Sequence, residues 1–598
     1  MSGDTVSLID IAKGALRGIP DALEINKGAF NLLRYSPDTC ASIGLLVEQN
    51  ASRHPAHPAL LFEDRRWTYA EFNAWANRIA GVLKSRGVRA GDAVVILMEN
   101  RPEMLVCVTA VVKLGAIAGM LNHNQRGEVL THSLNLTRAR LVIVGEECVE
   151  AFATVTAPEG AQRDLLWDGE GDAPAGYGNL RAESRLQSGA NPPETAGVQL
   201  RQPCFYIFTS GTTGMPKASV MTHYRWLRGM AGLGQMVLRM KADDVLYCPL
   251  PLYHNNALTV SWSSVLGAGA TLALGRKFSA SKFWDEIRRY DATAFCYIGE
   301  LCRYLLNRPE TARDQDHRVR VIVGNGLRPE IWDQFQQRFG IPRISEFYGA
   351  SESNLAFANG FGLSKTAGFC PLPFAIVEFD AETEQPRRDS HGFMHKVARG
   401  GVGLLITEVS DRTPFDGYTD KKASEAKLLR DVFEKGDCWF NSGDLVRDQG
   451  WRHIQFVDRV GDTFRWKGEN VATTEVESAL ARFPGVEQAV VYGVEVPGAD
   501  GRAGMAALTL AGGKLDGAAL ARHLCAELPA YAVPLFLRLR EQQEVTGTFK
   551  YRKVELKREG FDPGEIDEPL YVLADRHRGY EPLGQDLFAR IRKQELRL

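Results

Sequence analysis

FYIFTSGTTGMPKASVMTH, residues 205–223, runs from an apolar, aromatic strand through a loop rich in Gly, Thr and Ser and back into ordered structure. Within it Thr209, Ser210, Gly211, Thr212, Thr213, Gly214, Met215, Pro216 and Lys217 follow one another. The glycines let a backbone turn closely around an anion, the hydroxyls donate hydrogen bonds, and the lysine adds a point charge. The segment is built to hold phosphates. It is not the Walker loop, which needs G-x-x-x-x-G-K-[ST], because Lys217 follows Pro216 and precedes Ala218. A plain Gly/Thr turn is the alternative reading.

Outward from this loop the chain alternates helix and strand signals. TYAEFNAWANRIAGVLKSRGV (68–88) repeats apolar positions at helical spacing, and AVVILM (93–98) follows as a buried-strand run. That order predicts a layered α/β fold. The most apolar stretch, Met104 to Leu121, reaches spanning length only by including Lys113 and two glycines, so it is expected as a core helix. Residues 154–203, rich in Pro, Gly, Ala and acids, are expected as a solvated connection. After Asp458 the pattern changes again: VEQAVVYGVEV (486–496) and GMAALTL (504–510) are expected as strands and GAALARHLCAEL (517–528) as a helix, which predicts a small α/β domain.

The composition is that of a folding, globular chain. Its 598 residues exclude a small binding module and allow several subdomains. Lys plus Arg total 71 against 73 Asp plus Glu, a net charge of −2 that gives no global footprint for nucleic acid. The ten cysteines show no C-x-x-C pair and no nearby His at metal-ligand spacing, which points to reduced thiols in a cytosolic protein. The N-terminus has no uninterrupted apolar stretch and no cleavage-site pattern, so neither a secretory signal nor an N-terminal anchor is expected. The tail LGQDLFARIRKQELRL (583–598) places Leu583, Leu587 and Ile591 at i, i+4 and i+8, suited either to docking on an anionic lipid surface or to packing on the last domain.

Four further elements follow the loop in order: Tyr348-Gly349-Ala350-Ser351-Glu352, Asn441-Ser442-Gly443-Asp444, Asp458-Arg459, and Lys550 in TGTFKYRKVEL (546–556). Together with the loop they resemble the adenylate-forming superfamily of acyl-CoA synthetases, adenylation domains and luciferases. Ser351 departs from the usual threonine but keeps the hydroxyl. RKFSASKFW (276–284), YIGELCRYLLN (297–307) and DRVGDTFRWKGENVATTEV (458–476) are similar, more narrowly, to the fatty acid transport protein and very-long-chain acyl-CoA synthetase branch. Thr548 and Phe549 separate Lys550 from the glycine before them, which leaves Lys553 as the alternative lysine.

The resemblance implies an α/β fold with α+β elements: a large N-terminal adenylate-forming domain of several subdomains (1–457), a hinge (458–462) and a small mobile C-terminal α/β domain (463–598). It implies that ATP, Mg²⁺ and coenzyme A are used to convert a long- or very-long-chain fatty acid to its CoA thioester through an acyl-adenylate. By this comparison the 209–217 loop holds the β- and γ-phosphates, Ser351 bonds the α-phosphate, and Glu352 holds Mg²⁺. Gly324, Asn325 and Gly326 pass the adenine, Tyr348 and Gly349 lie near the same base, Asp444 accepts from the ribose hydroxyls, and Arg459 lies nearby. His254 sits by the acyl and α-phosphate site, Lys550 contacts the reacting carboxylate, and Trp466, Lys467 and Gly468 line the CoA tunnel once the small domain has rotated. Zinc is not implied. The expected partner is the fatty acid, with no nucleic acid; the expected location is the cytoplasm, with peripheral docking on the inner face of the cell membrane and a homodimer left open. A ligase for a sterol side-chain or bile-acid-like acid, or an uptake protein that traps the acid as its CoA ester, are the alternatives.

Overall fold

Two sheets rich in parallel strands position everything that follows, and the computed structural model describes them within residues 5–156, 163–209, 215–380, 383–466, 469–497, 499, 501–512, 514–544, 551 and 553–596. In the first, strands Pro58–Phe62, Thr271–Leu274, Val245–Cys248, Ala294–Ile298, Val321–Asn325 and Ile344–Tyr348 lie side by side and parallel. Their apolar runs fill one continuous core, as strands covered on both faces require. Beyond Ile344–Tyr348 the sheet continues antiparallel through Phe357–Ala358, Gly368–Phe369, His453–Arg459, Cys438–Gly450, Val402–Glu408 and Phe374–Val377. The second sheet has seven strands and ends on Lys217–Thr222, antiparallel to its neighbour Pro203–Thr209. In both sheets the strand ends Thr209, Ile298, Asn325 and Tyr348 reach one cleft, the place where open α/β sheets bind ligands.

Local signals account for most of the elements. Helix Tyr69–Ser85 starts at a reciprocal cap in which Thr68 Oγ1 accepts from the Glu71 amide and the Glu71 carboxylate accepts from the Thr68 amide at 2.8 Å. Strand Ala93–Leu97 follows it as expected. In the C-terminal part, strands Val486–Glu495 and Arg502–Leu510 and helix Gly517–Glu527 fall on the three stretches read from sequence. They belong to a separate five-stranded sheet with its own core. All ten cysteines are free thiols.

Two expectations need correction. Met104–Leu121 is not one helix: the helix Pro102–Lys113 ends, Gly115 turns at φ +68°, and Ile117–Met120 is a strand. A left-handed backbone favours glycine, so the chain reverses there while staying buried. Lys113 remains inside because Glu48 accepts from its ammonium at 2.7 Å, and burial lowers its pKa to about 8. The 154–203 stretch is also not a mere connection. Asp164–Asp168 and Gly178–Asn179 widen the seven-stranded sheet, and Asp168 is buried against Arg101 at 2.6 Å. The short apolar run of DLLWD was its only signal.

The tail packs on its own domain. Helix Gln585–Arg592 begins after Leu583, and Leu583 and Ile591 are buried while Leu587 and Phe588 lie against the same core. Ile591→Asp is therefore expected to destabilise the C-terminal domain by about 3 kcal/mol, read as an earlier urea transition of that domain.

Candidate active site

The Gly- and Thr-rich loop is held by its two strands, in which Thr209 and Lys217 face each other across an antiparallel pair. Ser210, Gly211, Thr212, Thr213 and Gly214 lie outside the described residues, as do Lys467, Gly468 and Lys550. Residues 417–419 add to the edge of strand Lys217–Thr222: the Val220 amide donates to Gly417 O at 3.1 Å and the Thr419 amide to Ala218 O at 2.9 Å. That pairing brings Tyr418 beneath Lys217, whose ammonium lies 5.6 Å from the ring centroid. Burial raises the Tyr418 hydroxyl pKa, and the neighbouring Glu352 carboxylate raises it further. Lys217, Tyr418 and Glu352 thus meet at one mouth of the cleft.

The Tyr348–Glu352 turn owes its shape to a buried arginine that the sequence reading missed. Arg225 donates to Ser351 O at 2.8 Å and to Ser353 O at 2.6 Å, and the Ser219 hydroxyl donates to Ser351 O at 2.9 Å. With the Ser351 carbonyl so occupied from behind, the turn is fixed and both Ser351 and Glu352 line the cleft. Asp416, 3.7 Å from Arg225, partly offsets the buried charge.

A second buried acid supports the 324–329 loop. Glu346 accepts from the amides of Gly326 and Leu327 and from the Tyr297 hydroxyl. Burial pushes its carboxyl up to about 8. The loop can approach this closely only with glycine. A Cβ on Gly324 would stand 2.2 Å from Tyr297 O, and Gly326 has φ +81°. Asn256 donates to Tyr297 O at 3.0 Å and to Asn325 Oδ1 at 3.3 Å, and so ties the loop to the segment that carries His254. His254 itself lines the cleft, its ring 4.4 Å from that of Tyr253.

Asp444 is the junction of the site. Tyr348 donates its hydroxyl to Asp444 Oδ2 at 2.6 Å, and Arg459 Nε stands 3.6 Å from Oδ1. Asp444 and Arg459 are register partners on adjacent strands. Burial and the Asp444 charge both raise the Tyr348 hydroxyl pKa, so the phenol stays protonated and donates. Gly443, just before Asp444, takes φ +76°, and its neighbour Lys427 adds a cation that sequence reading also missed.

Just beyond Arg459 the chain turns at Gly461, φ +87°. Asp458 is buried and accepts from the Thr473 amide at 2.6 Å, anchoring the turn to helix Thr473–Ala481. Lys553 is committed to this same region: it lies 3.1 Å from Glu477 and donates to Thr473 Oγ1 at 2.9 Å. Burial opposes its charge, yet Glu477, Asp462 and Asp458 together hold its pKa above the ordinary value. Tyr551, the residue after Lys550, donates to Glu300 at 3.0 Å and accepts from Arg303 at 2.8 Å, while Arg328 reaches Glu477 at 3.0 Å. Trp466 is buried in the C-terminal core, on strand Phe464–Trp466.

These side chains surround a cleft of about 2000 Å³. One end is polar, lined by Lys217, Glu352, Asp444 and Arg459; the other is apolar, lined by Ile25, Leu32, Leu233, Met236 and Val237. Among the described residues no group of three or more His, Cys, Asp or Glu could hold a metal. A single carboxylate, Glu352, beside a phosphate-type loop suits a hard cation that takes its other ligands from phosphate oxygens and water.

A family model described as AMP-binding enzyme matches residues 47–392, and one described as AMP-binding enzyme C-terminal domain matches residues 475–550. The chain is 52% identical over 579 residues to the medium/long-chain-fatty-acid–CoA ligase FadD6 of Mycobacterium tuberculosis, covering 97% of this chain and 96% of that one. It is 39% identical to the long-chain fatty acid transport protein 6 of Mus musculus, covering 91% and 90%. Among solved structures, the anthranilate CoA ligase AuaEII in complex with anthranoyl-AMP superposes with a TM-score of 0.76 at 21% identity, covering 88% of this chain and 98% of that one. A Mycobacterium tuberculosis fatty acyl CoA synthetase superposes at 0.61 and 22%, covering 86% and 98%.

Glu346 sets a pH signature. In the fold its carboxyl keeps a proton from about pH 4.5 to about pH 8, whereas the unfolded chain releases it near 4.5. The native state therefore binds more protons in that window, and this contribution to stability falls as pH rises through it. Glu346→Gln removes the term, so its melting temperature relative to the wild type is expected to rise by about 1–3 °C between pH 5 and pH 8.5, measured by scanning calorimetry.

Proposed function

The chain belongs to the AMP-binding enzyme family, and from that premise we propose that it converts a long- or very-long-chain fatty acid to acyl-CoA, with release of AMP and pyrophosphate. The observation that carries this reading is one cleft that joins a phosphate-type hairpin, the Glu352 and Asp444 carboxylates and an apolar arm. Likeness to a fatty-acid–CoA ligase over nearly the whole chain supports the substrate class.

A carboxylate is a poor electrophile because its leaving group would be oxide, so a better leaving group must be installed first. In the proposed first half-reaction a carboxylate oxygen attacks the α-phosphorus of ATP, the bond to the bridging oxygen breaks, and pyrophosphate leaves. An anion attacks a polyanion here, so positioning and cationic neutralisation dominate. Lys217 and the 209–214 segment would hold the β- and γ-phosphates, and the Ser351 hydroxyl would bond the α-phosphate. Glu352 would hold Mg²⁺, which supplies charge neutralisation when bound. Gly324, Asn325 and Gly326 would pass the adenine against Tyr348 and Gly349. Asp444, with one oxygen taken by Tyr348, would accept from the ribose with the other. His254 would border the carboxylate, and Lys550 would place its ammonium where negative charge develops.

In the second half-reaction the CoA sulfur attacks the acyl carbonyl and AMP leaves. The proposed division into residues 1–457, a hinge at 458–462 and a mobile domain at 463–598 lets Lys550 withdraw and the Trp466–Gly468 face take its place. Gly461, with nothing within 4 Å of a Cβ there, can absorb such a change. The location proposed is the cytoplasm with peripheral membrane association, and likeness to a long-chain fatty acid transport protein supports uptake driven by trapping the acid as its CoA ester.

Acid-dependent release of pyrophosphate and AMP is expected, followed by CoA-dependent thioester formation; ADP and orthophosphate would contradict the scheme. Lys550→Ala is expected to slow adenylate formation by about 100-fold or more while sparing thioester formation from supplied acyl-adenylate. Lys553→Ala is expected to lower stability by about 3–5 kcal/mol, through its unpaired acids, without selective loss of either step. Single-turnover assays of each half-reaction and urea melts check both.

A further inference from the structure

Seven large apolar side chains stand exposed on one short segment: Leu8, Ile9, Leu16, Ile19, Leu23, Phe30 and Leu33. They belong to the helices Leu8–Arg17 and Ala22–Arg34 and the turn between them. At 100° per residue, Leu8, Leu16 and Ile9 form one stripe on the first helix, and Leu33, Phe30 and Leu23 one on the second. The opposite faces are the packed ones. A Cβ on Gly28 would stand 2.5 Å from Met236 and one on Gly14 2.5 Å from Phe361 O, and Asn31 donates to Gln235 Oε1 at 2.8 Å. The pair is thus brought close to the protein by small residues, with Ile25 and Leu32 turned inward and the seven named above turned outward.

Charge lies along the same stripes. Lys13 and Arg17 follow the apolar arc of the first helix and Arg34 that of the second, and all three are exposed. Arg34 also covers the Phe30 ring at 5.8 Å. The acids of the segment are engaged or set back. Asp10 accepts from the Ser7 amide and hydroxyl at the helix start, Asp21 pairs with Lys241 at 3.1 Å, and Glu24 is half-buried. Apolar stripes bordered by long basic side chains match an interfacial anchor on an anionic lipid surface, where the stems bury and the heads stay at the phosphates. Among the described residues no helix is long and apolar enough to cross a membrane.

The inner face of this pair is the wall of the cleft's apolar arm, through Gly14, Ala15, Gly18, Ile25 and Leu32. We propose that the two N-terminal helices are the surface by which the protein lies on an anionic lipid bilayer, so that the apolar arm is set beside the lipid phase in which a long-chain acid dissolves. This deepens the peripheral association proposed above and rests on it. It also moves the contact away from the C-terminal tail, whose apolar face is already buried.

The test uses the full chain with phosphatidylcholine vesicles, with and without phosphatidylglycerol. The wild type is expected to co-sediment with the anionic vesicles, less at high salt and less with the neutral ones. Leu16→Glu/Leu23→Glu/Leu33→Glu, at positions 65%, 77% and 87% exposed, is expected to lose binding about tenfold or more, whereas Leu186→Glu, on an isolated exposed leucine, is expected to match the wild type. A second measurement does not depend on the triple variant's folding: an environment-sensitive dye on Leu33→Cys is expected to shift blue with anionic vesicles, relative to the same dye on Leu186→Cys. Equal binding by the triple variant, or no dye shift, would overturn the assignment to these helices while membrane association stood. Absence of binding by the wild type would overturn both, and a dimer that the triple variant splits in light scattering, without vesicle binding, would make the face a contact between copies. Vesicle binding is read without substrate, so failure of the pyrophosphate assay would instead overturn the ligase reading.

Discussion

Asp444 is buried at the wall of the cleft, and a buried carboxylate must be paired or it costs several kcal/mol. Its pairing organises the rest. Tyr348, at the carboxyl end of the last parallel strand, supplies a hydroxyl, and Arg459, its partner across two antiparallel strands, supplies a nearby cation. One side chain therefore fixes the parallel block, its antiparallel extension and the start of the turn at Gly461 in mutual register. The Tyr348–Glu352 turn, held from behind by Arg225, inherits its place from that junction.

The contacts between the large and small parts of the chain differ in kind from either core. Each part has its own apolar cluster. Between them stand Arg303 with the Glu487 carbonyl, Arg328 with Glu477, and Tyr551 with Glu300. Polar contacts of this type can be exchanged for water at little net cost, unlike buried apolar area. An interface so built fits the domain rotation proposed above. The polar tethers from the 299–306 helix and the 324–329 loop also tie the small part directly to segments that border the cleft.

The apolar end is organised by absence of bulk. Gly14 and Gly28 let the two N-terminal helices lie close on the body of the protein, and Ile25 and Leu32 turn inward to line the cleft. The cost is a set of leucines left facing outward, a patch that a monomer in water alone has no reason to keep. Polar and apolar lining thus meet in one cleft.

Much of the molecule was legible in the linear chain. Strong periodicities, as in 68–88 and 486–510, produced the helix and strands they announced, because each buries its apolar face locally. The motifs from Thr209 to Lys550 identified the family because their chemistry depends on residue type and order. Three things were not legible. The apolar run 104–121 is fully buried, so helix and strand leave the same hydrophobic signature, and only the turn at Gly115 separates them. Residues 154–203 look solvated because one five-residue strand and a two-residue edge strand lie among long polar turns. Arg225, Glu346, Tyr418 and Asn256 carry no motif at all; alone, each is a polar residue like many others, and only the packing of distant segments turns them into supports for the site. Sequence by itself determined which chemical groups are present and in what order. Tertiary structure decided which of them are buried together, since pairing and desolvation depend on neighbours that the chain brings from about a hundred residues away or more.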